Sequence, residues 1–369
     1  MNDYIYYPGC SMEGSGIAYH ESLMVVKKVL GMQLHEIDDW NCCGATEYLG
    51  TSTIPAYSLI ARNLALAAQQ TVGNKTVMAP CSACYLNLVK ADHNMAESKV
   101  LGGKVNEALA AGGLHYDPGS LTIRHLLDVF INDVGLDTIK SKVTHPLTGM
   151  RVAPYLGCMV PRPDYGHQFS DYEQPTELDD LLRALGADVV DYPLKTECCG
   201  GHMAQIGPET AYEMIRRLVS TAENRQADIM VAVCPMCQMN IDAYQPETNS
   251  FFGTNYQMPI VFFTQLMGLA FGADAKELGF GMELVSAKKA LARIGVEAPA
   301  PVTAPATAAV PAPRKKVQGL PMPASKFQKK AAAEKLALSR SAAPEGSVEA
   351  KAEMPALSKV EVAIKDGSK

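Results

Sequence analysis

The chain has 369 residues, 47% of them hydrophobic, which is enough to bury the core of one large or two modest domains. Its formal net charge is −6 and is unevenly placed: residues 301–369 carry 12 Lys and Arg against 6 Asp and Glu, which leaves 21 against 33 in residues 1–300. The acidic part has no clustered basic face, so we expect no nucleic-acid partner.

No stretch of the sequence predicts a membrane span. The most apolar segment, residues 259–272, is shorter than the roughly 20 residues that a span needs, and it indicates a buried strand followed by a helix. The first ten residues lack the basic region and the apolar run of a signal peptide. We therefore expect a cytoplasmic chain, and in that compartment ten cysteines indicate metal or redox chemistry rather than disulfides.

The predicted elements of the first half alternate between strands and helices, and each strand leads to a cysteine motif. In chain order they are a strand over 4–7 before Cys10, a helix that closes at Gly31, a strand over 34–37 before Cys42-Cys43-Gly44, a helix that begins near Pro55, and a strand over 76–79 before Cys81 and Cys84.

The second half repeats this order. Its first helix has an apolar stripe at i, i+3, i+4 and i+7 and a glycine at its end. The elements are a strand over 152–156 before Cys158, a helix with Leu178, Leu181, Leu182 and Leu185 that closes at Gly186, a strand over 188–192 before Cys198-Cys199-Gly200, a helix near Pro208, and a strand over 229–233 before Cys234 and Cys237.

Three motifs recur in the same order, which indicates an internal duplication. The matching segments are Tyr7-Pro-Gly-Cys10 with Tyr155-Leu-Gly-Cys158, Asn41-Cys-Cys-Gly44 with Glu197-Cys-Cys-Gly200, and Cys81-x-x-Cys84-x-x-Asn87 with Cys234-x-x-Cys237-x-x-Asn240. We predict two α/β domains over 1–147 and 148–294, each with parallel strands. Residues 295–369, rich in Ala, Pro and Lys, predict a disordered, solubilising tail.

The cysteines of each half are predicted to converge. All three motifs follow a strand and precede a helix, so they lie at the carboxyl edge of the sheet, where helix N-termini favour an anionic ligand. A thiolate-bound iron-sulfur cluster is such a ligand. Gly44 and Gly200 would let the backbone turn tightly beside it.

Two other interpretations of the cysteines stay open. Disulfide or dithiol pairs are one, although five cysteines per unit do not pair evenly. Zinc is the other, because Cys-Cys and Cys-x-x-Cys supply the four thiolates of a structural site. Zinc at one site would leave the fifth cysteine without a role, and five soft ligands favour an iron-sulfur cluster.

With these motifs the chain resembles the tandem cysteine-rich CCG-domain proteins, and among them the B subunit of heterodisulfide reductase. The resemblance covers about residues 1–290 and includes YPGC, DWNCCG, ECCGG and PIVFFTQLMGLAFG. It implies two noncubane 4Fe-4S clusters near the domain interface, which cleave a disulfide by one-electron steps. It also implies the ligands: Cys10, Cys42, Cys43, Cys81 and Cys84 for the first cluster, and Cys158, Cys198, Cys199, Cys234 and Cys237 for the second.

The resemblance further implies partners, since the chain has no cysteine left for ferredoxin-type clusters and no GxGxxG or Walker-type loop. Expected partners are a small ferredoxin-type iron-sulfur subunit, a flavin subunit upstream, and a small-molecule or protein-bound thiol or disulfide. Two alternatives remain: an electron-transfer subunit of a glycolate, lactate, fumarate or succinate type oxidoreductase, and a non-enzymatic zinc scaffold.

His202, three residues after Cys199, is a weak candidate for a catalytic proton donor. We also expect Trp40 to pack beside the first cluster, and Arg162 and Lys195 are candidates for attracting an anionic substrate.

Overall fold

Two four-stranded parallel sheets form the framework, one in each half of the chain. The computed structural model describes residues 3–45, 47–70, 74–163, 165 and 169–296. The strands are β1 Asp3–Tyr6, β2 Gln33–Glu36, β3 Thr76–Ala79, β4 Thr122–His125, β5 Arg151–Tyr155, β6 Asp188–Val189, β7 Ile229–Ala232 and β8 Ile260–Phe262. The sheet orders are β2-β1-β3-β4 and β6-β5-β7-β8, with all pairs parallel. The predicted duplicated α/β fold is confirmed.

Helices connect consecutive strands, as parallel pairing requires. They are α1 Ile17–Leu30, α2 Glu47–Thr51, α3 Thr53–Gln69, α4 Ser82–Glu97, α5 Lys99–Ala110, α6 Leu126–Val129, α7 Leu136–Ser141, α8 Glu177–Ala184, α9 Met203–Ile206, α10 Pro208–Asn224, α11 Pro235–Ala243, α12 Gln245–Phe252, α13 Phe263–Ala270 and α14 Lys288–Leu291. A 3-10 helix spans Cys10–Glu13, and a π-helix spans Phe130–Gly135.

The inner strands are buried on both faces, which is typical of a sheet covered by helices. Every residue of β3 and β7 is buried, whereas the edge strand β2 is mostly exposed. Gly31 ends α1 in the left-handed region at φ 66°, as its C-terminal position predicts. Strand β6 has only two residues, so the predicted strand over 188–192 is too long.

The two halves share their apolar core. In α1, Tyr19 stacks on Phe262 of the other half at a centroid distance of 4.4 Å, and Ser22 Oγ lies 2.6 Å from Thr264 Oγ1. In return, α8 of the second half packs against α6 and α7 of the first. The described residues therefore belong to one compact unit.

Within the described ranges, none of the helices combines the length and the apolar composition that a membrane crossing needs. The tail predicted for residues 295–369 lies outside the described residues from residue 297 onward.

Candidate functional site

The ten cysteine thiols form one continuous row of neighbours. The Sγ atoms of Cys42 and Cys10 are 3.6 Å apart, and those of Cys43 and Cys84 are 3.5 Å apart. The order along the row is Cys10, Cys42, Cys43, Cys84, Cys81, Cys234, Cys237, Cys199, Cys198 and Cys158. The row is symmetric about Cys81 and Cys234, neighbours in one buried cluster, where the first cysteine set meets the second.

The cysteines at the ends of the strands lie at the carboxyl edges of the two sheets. Cys10 begins the 3-10 helix that follows β1. Cys81 and Cys234 are the N-cap residues of α4 and α11, directly after β3 and β7. The carboxyl edge of each sheet thus holds its cysteine set, as the strand-motif-helix order predicts.

Exposure decreases from the ends of the row to its middle. Cys10 and Cys42 are exposed, and Cys158 and Cys198 are partly exposed. The remaining thiols are buried: Cys43, Cys81, Cys84, Cys199, Cys234 and Cys237. A small reactant from solvent would therefore meet the ends of the row first.

Matching tyrosines hold the loop before each cysteine pair. The Tyr7 hydroxyl donates to the carbonyl oxygen of Asn41 at 2.7 Å, and the Tyr155 hydroxyl donates to that of Glu197 at 2.7 Å. Burial raises the pKa of both phenols well above the ordinary value, so both remain donors. The sequence repeat contains these tyrosines but does not reveal this role.

Matching asparagines hold the loop from its other side. Asn87 Nδ2 donates to the carbonyl oxygen of Cys43 at 3.3 Å, and Asn240 Nδ2 donates to that of Cys199 at 2.9 Å. Both asparagines are buried and lie one helical turn after the second cysteine of a Cys-x-x-Cys motif. A buried amide that pairs with a backbone carbonyl fixes the direction of that peptide, and hence of the adjacent thiols.

Two glycines make room for thiols of the row. A Cβ on Gly9 would lie 2.8 Å from Cys84 Sγ, and a Cβ on Gly157 would lie 3.2 Å from Cys237 Sγ. Both glycines have a positive φ, of 76° and 71°. Gly44 and Gly200 also have a positive φ, of 77° and 79°, as expected for the turn after each cysteine pair.

The thiols perturb one another strongly. A hydrogen bond from Cys42 lowers the pKa of Cys43 to about 3, and the same contact raises the pKa of Cys42. In the second set a hydrogen bond from Cys158 lowers the pKa of Cys198 to about 2, whereas the pKa of Cys158 is raised. All five thiols of a set ionise together only if a cationic centre balances their charge.

The donor chemistry of each set, five thiols, fits an iron-sulfur cluster, which uses thiolates as its ordinary ligands. Across the described residues, no group of three or more His, Cys, Asp or Glu side chains is arranged to hold a single metal ion.

The other residues singled out in the sequence have different surroundings. His202 is partly exposed at the N-terminus of α9, after the second cysteine pair. Trp40 packs edge-on against Tyr7 at a centroid distance of 5.6 Å, next to the first set. Lys195 is buried and paired with Asp179 at 2.7 Å, and Arg162 binds Glu173 and the carbonyl oxygen of Thr196. The positive charges of Lys195 and Arg162 are therefore paired with groups of the protein itself.

One feature of the first set has no counterpart among the described residues of the second half. The side-chain oxygen of Asn63 accepts the backbone N–H of Asn41 at 2.8 Å, and its Nδ2 donates to the carbonyl oxygen of Asn41 at 3.0 Å. Arg62 adds a bond to Asn41 Oδ1 at 3.0 Å. Because these residues occur in one half only, sequence repetition could not reveal them.

Comparison with known proteins agrees with this geometry. The model of the CCG cysteine-rich domain matches residues 4–89 and 152–242, once in each half. The 8-methylmenaquinol:fumarate reductase membrane anchor subunit of Wolinella succinogenes is 33% identical over 289 residues, which are 78% of this chain and 99% of that protein. The chain belongs to the tandem CCG-domain family that includes the heterodisulfide reductase B subunits.

Further CCG-family relatives carry the reductase name. The B subunit of the ferredoxin/F420H2-dependent CoB-CoM heterodisulfide reductase of Methanosarcina acetivorans is 30% identical and covers 64% of this chain and 78% of its own length. A protein of Archaeoglobus profundus, named as similar to the heterodisulfide reductase B subunit, is 28% identical, with 75% and 93% covered. A solved structure of a hypothetical protein from Helicobacter pylori matches with a TM-score of 0.60 at 14% identity, over 77% of this chain and 52% of that one, and shows the fold alone.

Proposed function

We propose that the chain is the iron-sulfur subunit of a heterodisulfide reductase-like complex and carries out disulfide and dithiol redox chemistry at two noncubane 4Fe-4S clusters. The first set would hold one cluster through Cys10, Cys42, Cys43, Cys81 and Cys84, and the second set would hold the other through Cys158, Cys198, Cys199, Cys234 and Cys237.

The observation that carries this proposal is that buried cysteines of both sets belong to one buried cluster, which includes Cys43, Cys81, Cys84, Cys199, Cys234 and Cys237. Two sets of five thiols meet at one point, so the groups they hold would be neighbours. A disulfide takes up two electrons and two protons and releases two thiols. Clusters in both sets would supply those electrons one at a time, one from each set.

The chain itself would position the reactants and supply a proton. The ends of the row are accessible at Cys10 and Cys42 in the first set and partly accessible at Cys158 and Cys198 in the second, whereas its middle is buried. His202 is the candidate donor of a proton to a leaving thiolate near the second set. Electrons would come from a partner, a small ferredoxin-type iron-sulfur subunit, with a flavin subunit upstream of it.

A second candidate function rests on the Wolinella succinogenes relative, which is named as a subunit of a fumarate reductase and is matched over 99% of its length. In that case the clusters would pass electrons between a partner and an oxidoreductase without cleaving a disulfide. A zinc scaffold is the remaining alternative, and metal analysis separates it from both redox functions.

The test uses the full chain, purified without oxygen and loaded with iron, then reduced and mixed with glutathione disulfide and with mixed disulfides of small thiols. We expect thiol release of two per disulfide consumed, and a paramagnetic signal that appears only when the oxidised chain meets a thiol. The Cys158→Ser variant, which loses a partly exposed thiol of the second set, serves as the control and should release no thiol.

A reduced, iron-loaded chain that donates electrons to a protein acceptor but neither releases thiols nor shows the thiol-dependent signal would contradict the disulfide proposal. That result would favour the electron-transfer function instead.

A further inference from the structure

Trp40, the only tryptophan of the sequence, connects the surface of the first half to its core. The indole is partly exposed and packs edge-on against Tyr7 at a centroid distance of 5.6 Å. Its Nε1–H donates to Glu36 Oε1 at 2.9 Å, which holds the ring in this orientation. The indole therefore lies between solvent and a buried aromatic ring.

Tyr7 continues this contact to the thiols of the first set. It is fully buried and belongs to the same apolar cluster as the buried cysteines, against which Trp40 packs. The position that a Cβ on Gly9 would take lies 2.8 Å from Cys84 Sγ and 3.8 Å from Tyr7 Cε1, so the phenol ring and that sulfur are neighbours. Two packed rings thus lead from the surface to the first cysteine set.

The second half differs at the matching position. There Thr196 stands two residues before the cysteine pair, as Trp40 does in the first half. Thr196 is 4% exposed, and its hydroxyl donates to the carbonyl oxygen of Glu173 at 2.9 Å. Arg162 donates to the carbonyl oxygen of Thr196 at 2.6 Å. A buried, hydrogen-bonded side chain here replaces the aromatic ring at the surface, so the connection is one-sided.

The surface around Trp40 is acidic. Glu36, Asp38 and Asp39 are exposed within four residues of it, and Arg62 pairs with Asp39. Glu36 ends β2, the mostly exposed edge strand of the first sheet. A negatively charged surface attracts a positively charged partner and raises the rate at which the two meet.

We infer that Trp40 is the point at which the chain takes electrons from its partner, and that this partner, a one-electron carrier, presents positive charge to the acidic surface around the indole. The inference rests on the proposed occupancy of the first set by an iron-sulfur cluster. One electron leaves the reduced partner, which is thereby oxidised, and reduces the first set. Trp40 and Tyr7 fill the gap between the two with packed atoms and keep their own oxidation states.

The test measures how fast the iron-loaded full chain is reduced by two viologens that share one bipyridinium ring system. Reduced methyl viologen is a cation, and reduced bis(sulfonatopropyl) viologen is an anion. We expect the cation to reduce the wild type about tenfold faster at low salt, because the acidic surface attracts it. That advantage should disappear in about 1 M salt, which screens charges beyond about 3 Å. No disulfide is present, so the rates do not depend on disulfide cleavage.

The first variants concern the indole. Trp40→Leu should slow reduction by both viologens several-fold, since it removes the ring between the surface and Tyr7. Trp40→Phe keeps a ring in that place and should recover most of the rate. Phe251→Leu is the control, because Phe251 is also an exposed aromatic residue, at 48%, on the cysteine-free helix α12. Iron analysis of each variant shows whether slower reduction comes from a lost cluster.

The second variants concern the charge. Glu36→Gln combined with Asp38→Asn removes two carboxylates and keeps an acceptor for the indole, so it should remove most of the advantage of the cationic viologen. Glu107→Gln combined with Asp137→Asn removes two exposed carboxylates from α5 and α7, and should leave that advantage in place.

Fluorescence gives a readout that needs no iron. All indole emission of the chain comes from Trp40. In the iron-free chain, oxidised methyl viologen, a dication, should quench this emission more strongly than the oxidised sulfonatopropyl viologen, which has no net charge. Glu36→Gln combined with Asp38→Asn should remove the difference.

The outcomes separate this inference from the proposed function. If Trp40→Leu is reduced at the wild-type rate by both viologens, electrons enter elsewhere, for example at the exposed Cys10 and Cys42, and the inference is wrong. Equal rates for the two viologens at low salt would contradict the positive charge of the partner. If the rates change as expected but disulfides release no thiol, the disulfide proposal fails and the inference stands. A wild type that binds no iron overturns both.

Discussion

At the residue scale, the side chains of Asn87 and Asn240 hold the backbone of the two cysteine pairs in place. Each donates to the carbonyl oxygen of the second cysteine of a pair, at 3.3 Å and 2.9 Å. The duplication in the sequence singles out both asparagines, yet their role depends on how a helix lies against a loop, which the sequence does not state.

We predict that Asn240→Ala lowers the free energy of unfolding by about 1–3 kcal/mol, because it leaves the Cys199 carbonyl oxygen buried without a partner. It should also reduce the iron bound by the second set. Thermal unfolding and iron analysis of the full chain measure the two effects.

Asn249→Ala is the matched control, since Asn249 bonds the carbonyl oxygen of Tyr256 at 2.9 Å in a part of the chain without cysteines. It should cost similar stability and leave the iron content normal. Equal iron loss in both variants would mean that Asn240 acts only through general stability.

A second prediction at this scale concerns the room left by Gly9. Gly9→Ala places a Cβ 2.8 Å from Cys84 Sγ and strains a residue at φ 76°. We expect the chain to fold but to bind about half of the wild-type iron, as the first set loses its cluster.

Gly119→Ala has the same backbone strain, at φ 81°, with no atom within 4 Å of the new Cβ. Its iron content should equal that of the wild type, so a loss there would assign the effect of Gly9→Ala to strain alone.

At the element scale, a buried ion pair ties the start of α8 to the loop before the second cysteine pair. Lys195 Nζ contacts Asp179 Oδ1 at 2.7 Å, and both side chains are 7% exposed. The carbonyl oxygen of Lys195 also accepts the N–H groups of Leu156 and Gly157, just before Cys158. The sequence indicates a charged loop residue here, and only the packing of α8 shows that its charge is used inside the fold.

Lys195→Met should lower the free energy of unfolding by about 3–5 kcal/mol at neutral pH, because Asp179 is left buried with only the half-exposed Arg183, 3.9 Å away, to balance its charge. Burial already raises the pKa of Asp179, and loss of Lys195 removes the charge that opposes this rise. A folded-state pKa above the unfolded value favours the folded chain as pH falls, so the deficit should shrink on acidification.

Denaturant unfolding at two pH values measures this. Arg225→Met is the control, since Arg225 is 38% exposed and pairs with Asp191, which is 84% exposed, at 3.1 Å. It should change stability by less than about 1 kcal/mol at either pH. A deficit for Lys195→Met that does not depend on pH would contradict the uncompensated charge of a buried carboxylate.

Buried apolar strands are predictable from the sequence, whereas a polar, partly exposed strand is not. Strands β3 and β7 are fully buried apolar runs that end at cysteine motifs, and both were predictable. Strand β4, Thr122–His125, escaped prediction because its residues are mostly polar and largely unburied.

At the scale of the whole molecule, the duplication gives two sheets but one core. The stacking of Tyr19 on Phe262 and the packing of α8 on α6 and α7 cross between the halves. The repeat predicts the two sheets, whereas the contacts between them have no signature in a single sequence.

We predict that the full chain unfolds in one cooperative transition and that residues 1–147 or 148–294, expressed alone, show none. Each half alone would expose the apolar surface that α1 and α8 now cover. Calorimetry of the full chain, of each fragment and of their mixture measures this, and the mixture should recover part of the transition. Two separate transitions in the full chain would show that the halves are independent.

The metal content of the chain shows whether two sets of five cysteines each hold an iron-sulfur cluster. Iron, acid-labile sulfide and zinc are counted per chain after purification without oxygen, with a paramagnetic resonance spectrum after oxidation in the presence of a thiol. We expect about eight iron atoms with matching sulfide, and a thiol-dependent signal. About four iron atoms and one zinc would leave a single redox site, and stoichiometric zinc without iron would show that neither set holds a cluster.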